Sequence, residues 1–109
     1  MVSNLNAENN NCPIDYTLNA IGGKWKLHIL YKLMIGEVIR YGELKKSIAG
    51  ITHKMLSSQL KDLESYNLIH RNVYHQIPPK VEYSLSEKGV SLIPILKLMY
   101  KWGEENINN

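Results

Sequence analysis

The chain has a single cysteine, Cys12, among 109 residues, so no disulfide can form within it. It has no apolar run near the ~18 residues that a membrane-spanning helix needs; the stretch from Leu92 to Leu96 is short and holds Pro94. The opening MVSNLNAENNN lacks the basic and apolar blocks of a secretory signal, which predicts a cytoplasmic protein with no membrane partner. No Gly-rich phosphate loop, nucleophile–base pair or pair of carboxylates stands at a useful spacing, so an enzyme is not expected. His28, His53, His70 and His75 show no metal-ligand spacing with Cys12, and neither a metal nor another cofactor is expected.

The charge that is present is unevenly spread. The net charge is +3. Residues 40 to 80 hold seven Lys and Arg against three acids, whereas residues 86 to 109 balance three against three. A polyanionic partner is favoured by that distribution.

Within the basic segment, Ile51 to Tyr66 reads as a helix with two faces at about 100° per residue. Leu56, Leu60 and Leu63 form a narrow apolar stripe, with Met55 at its margin. Lys54, Ser57, Ser58, Lys61 and Ser65 cluster opposite, without a carboxylate; Asp62 and Glu64 lie to the side. Thr52 stands at the N-cap position, where its hydroxyl can accept a first-turn N–H. Taken alone, such a face is what many solvated helices show. A small, hydroxylated and basic surface near a helix N-terminus also suits the DNA major groove.

The flanking segments decide the setting. Residues 1–11, polar and rich in Asn, are predicted to be a disordered N-terminal arm. Pro13 opens a helix to Ile21 with Cys12 beside its N-cap, and Gly22-Gly23 ends it. A second helix, from about Lys24 to Met34, buries Trp25, Ile29, Leu30, Leu33 and Met34 and turns Lys24, Lys26 and Lys32 away from that face. Ile39 to Tyr41 is extended and long enough for one strand bridge only. A short helix from Tyr41 or Gly42 then directs Leu44 and Ile48 inward and Lys45 and Lys46 outward. Gly50 supplies a left-handed turn between this helix and the next, which makes a helix-turn-helix.

Leu68 to Tyr74 and Val81 to Leu85 alternate as strands. Pro78-Pro79 between them cannot donate ladder hydrogen bonds, so the hairpin, over about residues 68–85, ends in a stiff projecting tip. Ser86 caps a final helix over about residues 87–105, kinked or divided near Ile93 by Pro94. Its apolar residues cover more than one stripe, which predicts that a partner chain covers the remainder. The expectation is therefore one domain over residues 12–109. Its fold is α+β, mostly helical: a winged helix-turn-helix with extra N- and C-terminal helices.

Four blocks of this chain carry a family resemblance: CPIDYTLNAIGGKWKLHILYKL (12–33), RYGELKKSIAGITHKMLSSQLKDLE (40–64), LIHRNVYHQIPPKVEYSLSEKG (68–89) and LIPILKLMYKWG (92–103). Through them the sequence resembles the HxlR family of bacterial winged-helix transcriptional regulators. The resemblance implies a homodimer, assembled through the terminal helices, on a palindromic stretch of double-stranded DNA. It assigns DNA contact to Thr52, His53, Lys54, Ser57, Ser58 and Lys61 on the recognition helix, and to Arg71 and Lys80 on the wing. Arg71 and Lys80 read equally as solvated strand charges, and Arg40 as a sheet brace or a phosphate contact. The dimer interface is expected to draw on Ile14, Leu18, Leu92, Leu96, Met99 and Trp102. Some members of the family sense quinones, aldehydes or oxidants through a cysteine at the position of Cys12. A small electrophile or oxidant acting on Cys12 is one reading, since a helix N-terminus favours a thiolate; a cysteine packed at the interface is the other. The competing functional class is a winged helix used only for protein–protein assembly, which has no need of a carboxylate-free basic face.

Overall fold

Pro13 opens the first helix, α1 (Pro13–Ile21), with Cys12 in extended conformation at its N-cap. The computed structural model describes residues 12–108; the arm expected over residues 1–11 lies outside the described residues. Next come α2 (Lys26–Gly36), β1 (Ile39–Arg40), α3 (Tyr41–Ser47) and α4 (His53–Ser65), then β2 (Ile69–Tyr74), β3 (Lys80–Leu85), α5 (Glu87–Val90) and α6 (Ile93–Asn106).

The apolar periodicities become one core. Ile29, Leu30 and Leu33 from α2, Leu44 from α3, and Leu56, Leu60 and Leu63 from α4 are its most deeply buried large side chains. Burying each contributes about 1.5–3 kcal/mol relative to exposure. The stripe that looked narrow along α4 is therefore the seam that holds this helix down, and it leaves the opposite face outward. Gly50 sits between α3 and α4 at a φ of +84°, a conformation any Cβ would strain. Thr52 caps α4, accepting the Met55 N–H at 3.1 Å.

The sheet has the order β1-β3-β2 and is antiparallel throughout. Only two residues of β1 join it, pairing Ile39 with Tyr83 and Arg40 with Glu82. The β2–β3 hairpin runs in register from Ile69 opposite Leu85 to Tyr74 opposite Lys80. Its tip, residues 75 to 79, is exposed, and it is the wing. At the base, Ser86 caps α5 by accepting the Gly89 N–H at 2.9 Å and donates to the Asn67 carbonyl at 2.6 Å. Gly89 lies so close to the chain that a Cβ there would run into the Leu68 carbonyl oxygen.

The C-terminal helix divides as its proline requires. α5 stops at Val90, and Pro94 occupies the first turn of α6, where its missing N–H costs nothing. Two expectations change here. Leu96, assigned to a subunit interface, is buried in the protomer's own core, and Leu92 packs half-buried against that core. The reason is geometric: α6 meets α2 with Leu96 and Met99 toward it, and Leu92, one turn earlier on the same stripe, packs against the core. Tyr100 joins this contact by stacking on Tyr31, with centroids 5.5 Å apart and planes 7° from parallel. Ile95, Leu98 and Trp102 are left outward.

Lys26 is the second change. Expected to point away from the buried face, it is only 5% exposed. Its ammonium forms an ion pair with Asp62 of α4, donates to the Asn19 carbonyl of α1 at 3.0 Å, and lies 5.4 Å from the Tyr66 ring centroid. Standing at the start of α2, it reaches into the corner where α1 and α4 meet. There its stem is covered, and three acceptors replace water around its head.

Candidate nucleic-acid interface

The outward face of α4 is built by subtraction. Because Leu56, Leu60 and Leu63 fill the core, helical geometry turns His53, Lys54, Ser57, Ser58 and Lys61 to the exterior, and all five are exposed. A shallow concavity along the helix is lined by Lys54, Ser57, Ser58, Gln59, Lys61, Asp62 and Ser65. Asp62 is the single acid in it, and the Lys26 ion pair neutralises that carboxylate from behind. Ser65 turns its hydroxyl back to the Asp62 carbonyl at 2.6 Å. What the face presents to a ligand is thus positive and rich in hydroxyl groups.

His53 and Ser57, one helical turn apart, are not free rotors. The Tyr41 hydroxyl at the start of α3 lies 3.1 Å from His53 Nδ1 and 3.2 Å from Ser57 Oγ. The Tyr41 and His53 rings stack, with centroids 5.8 Å apart and planes 12° from parallel. Behind Tyr41, the buried Tyr83 ring of β3 lies 6.5 Å away at 48°. Sequence reasoning missed Tyr41. Its hydrophobic spacing marks it only as a helix start, and nothing local indicates that its hydroxyl ends on another helix.

The wing cations Arg71 and Lys80 each contact neighbouring strand residues. Arg71 stands opposite Tyr83 across the β2–β3 ladder. Together they line a second concavity with Ser57, Leu60, Lys61 and Glu64, between α4 and the wing. Burial pushes the Tyr83 hydroxyl up from its usual pKa, while the hydrogen bond and charge of Arg71 pull it the other way. Lys80 pairs with Glu82 at 3.5 Å and lies 4.5 Å over the Tyr74 ring. The negative charge of Glu82, then its hydrogen bond, raises the Tyr74 pKa. Arg40 is opposite Glu82 in register, but the ion pair of Glu82 is made with Lys80. Arg40 instead lines, with Lys46, Pro79 and Lys80, a cleft between the start of α3 and the wing tip.

Cys12, at the N-cap of α1, is half-buried and a free thiol. Its carbonyl accepts the Asp15 and Tyr16 N–H groups, and its side chain makes no capping bond. Ile14 and Leu18, on the same helix, are 64% and 60% exposed. On α6, Leu98 and Trp102 are 67% and 68% exposed. Among the described residues no group of three His, Cys, Asp or Glu could hold a metal ion, and no helix is long and apolar enough to cross a membrane.

The chain is similar to known proteins over most of its length. The profile of the HxlR-like helix-turn-helix family matches residues 20–109. The protein MalR of Fusobacterium mortiferum is 59% identical over 95 residues, covering 87% of this chain and 90% of its own. The uncharacterized HTH-type transcriptional regulator YdzF of Bacillus subtilis is 56% identical over 91 residues, covering 84% of each chain. Among solved structures, the redox regulator HypR in its oxidised form superimposes with a TM-score of 0.82 at 48% identity, over 87% of this chain and 97% of that one. With a family profile that spans most of its length and relatives more than half identical to it, the chain belongs to the HxlR-like helix-turn-helix family.

Proposed function

We propose that this transcriptional regulator acts as a homodimer on a palindromic operator in double-stranded DNA, with α4 in the major groove and the β2–β3 wing along the backbone. The observation that carries this reading is the outward face of α4. Lys54, Ser57, Ser58 and Lys61 are exposed on it, and its one bordering acid, Asp62, is already paired. Hydroxyls and lysines in that position reach base edges and phosphates. Arg71 and Lys80 extend the positive surface onto the wing. Two recognition helices read successive major grooves when they stand one turn apart, about 34–36 Å.

The homodimer rests on surface that one protomer leaves unsatisfied. Ile14, Leu18, Leu98, Met99 and Trp102 are all exposed, on the two helices that flank the winged helix. A second copy covers such surface at the lowest cost, because the same patch serves both partners. Cys12 opens one of those helices, so its oxidation or alkylation alters packing at the subunit interface and hence the spacing of the recognition helices. HypR, to which the chain is similar, is named a redox regulator, and that supports the same role here.

A salt-titrated gel shift on the DNA upstream of the protein's own gene tests the reading. Lys61→Ala should weaken binding to all sequences and lower the dependence of log affinity on log salt by about one unit. A variant with the wild-type slope would remove α4 from the phosphate backbone.

A further inference from the structure

We propose that the Tyr41 hydroxyl is a positioning group for base readout: it fixes His53 as a hydrogen-bond donor, through Nε2–H, to an acceptor on a base edge in the major groove. The inference rests on the DNA-reading role of α4 and adds a residue on a different helix to the machinery of specificity.

Three groups meet at one point. Tyr41 oxygen is 3.1 Å from His53 Nδ1, 3.2 Å from Ser57 Oγ and 3.4 Å from the His53 carbonyl. A phenol hydroxyl has one proton to give and lone pairs to accept with. A phenol is a better proton donor than a neutral imidazole N–H, and an imidazole nitrogen is a better acceptor than a phenol oxygen. The favoured chain therefore runs from Ser57 O–H to the Tyr41 oxygen, and from Tyr41 O–H to His53 Nδ1. In it the Tyr41 hydroxyl is used in both directions, accepting from Ser57 and donating to His53. With Nδ1 occupied as an acceptor, the ring proton resides on Nε2.

The ring is also held in orientation. His53 stacks on Tyr41 at 12° between planes, and Tyr41 is backed by the buried Tyr83. His53 is the first residue of α4, and the first turn of a recognition helix is the part that meets base edges. A fixed Nε2–H there complements guanine O6 or N7, adenine N7 or thymine O4, and it opposes the amino groups of adenine and cytosine. A free imidazole, able to take either tautomer, would accept as readily as donate and would discriminate less. Tyr41 thus converts an ambiguous side chain into a donor, at the cost of one hydroxyl placed 12 residues earlier in the chain.

The test uses duplexes that the wild-type protein selects from a randomised pool, together with every single-base variant of one half-site. Binding of wild type, Tyr41→Phe, His53→Ala and the double variant is measured by fluorescence anisotropy. Tyr41→Phe keeps the stacked ring, and its thermal midpoint is measured alongside to confirm the fold. We expect it to keep the wild-type salt slope and to lose about five- to tenfold of discrimination at one base position, the size of a single net hydrogen bond. His53→Ala should lose discrimination at that same position, and the double variant should be no worse than His53→Ala. Wild-type discrimination by Tyr41→Phe at every position would overturn the proposal, as would losses that add in the double variant. A uniform loss across all sequences would instead make His53 a phosphate contact and overturn it too. Failure of the wild type to select any duplex would sink the DNA-reading function itself, an outcome distinct from the others.

Discussion

Removing Asp62 should destabilise the protein more than removing its buried partner, Lys26. The side chain of Lys26 is 7% exposed and that of Asp62 48%. Asp62→Ala strands an ammonium in the corner between α1, α2 and α4, with the Asn19 carbonyl at 3.0 Å and the Tyr66 ring at 5.4 Å as its remaining partners. Breaking a fully buried pair costs about 3–5 kcal/mol. Here water reaches the carboxylate side and two partners persist, so about 2–3 kcal/mol is expected. For a domain of this size that lowers the thermal midpoint by roughly 10–20 °C. Lys26→Met removes the charge and keeps the length of the stem. The half-exposed carboxylate it leaves behind is solvated, so the loss should stay within about 1 kcal/mol. Adding Lys26→Met to Asp62→Ala should recover most of the damage. Urea or thermal unfolding at one fixed protein concentration measures all three, since the proposed dimer would make midpoints depend on concentration. If Lys26→Met loses as much as Asp62→Ala, the stranded charge is not the cause and this account of the corner fails.

Three further outcomes are expected. Gly89→Ala should cost about 1–3 kcal/mol or more in unfolding experiments, because the new methyl meets the Leu68 carbonyl oxygen, a backbone atom that cannot rotate away; an unchanged midpoint would mean that α5 shifts freely. Trp102→Glu, at a 68% exposed site outside the protomer core, should give a folded monomer in sedimentation velocity and lower operator affinity about 100-fold through lost bivalency; a stable dimer would exclude this face of α6 from the interface. Diamide or a quinone should change the operator affinity of the wild type and leave Cys12→Ser untouched. Cys12 shown by mass spectrometry to be modified, with DNA binding unaltered, would reduce it to a packing residue.

Much of the architecture was legible before any coordinates. The i, i+4, i+7 spacing of Leu56, Leu60 and Leu63 determined which side of α4 is buried, and so which side faces outward. Gly50 marked the left-handed turn because it lacks a Cβ and so is free to adopt it, while Pro78-Pro79 marked the end of the hairpin and Pro94 the division of the last helix because the proline ring restricts the backbone and removes a donor. These are local properties, and a linear sequence states them directly. Partner choice is not local. Lys26 looked like one more outward lysine, and only the crossing of α1 and α4 over its end supplied the Asp62, Asn19 and Tyr66 groups that hold it inside. Leu96 belonged to an apolar surface wider than one stripe, and the docking of α6 on α2 decided that it serves the protomer's own core. Tyr41 read as a helix start, and only the packing of α3 beside α4 brings its hydroxyl within 3.1–3.2 Å of His53 and Ser57. Periodicity reports which face of an element avoids water; which atoms then meet depends on distances between elements, and those exist only once the chain has folded.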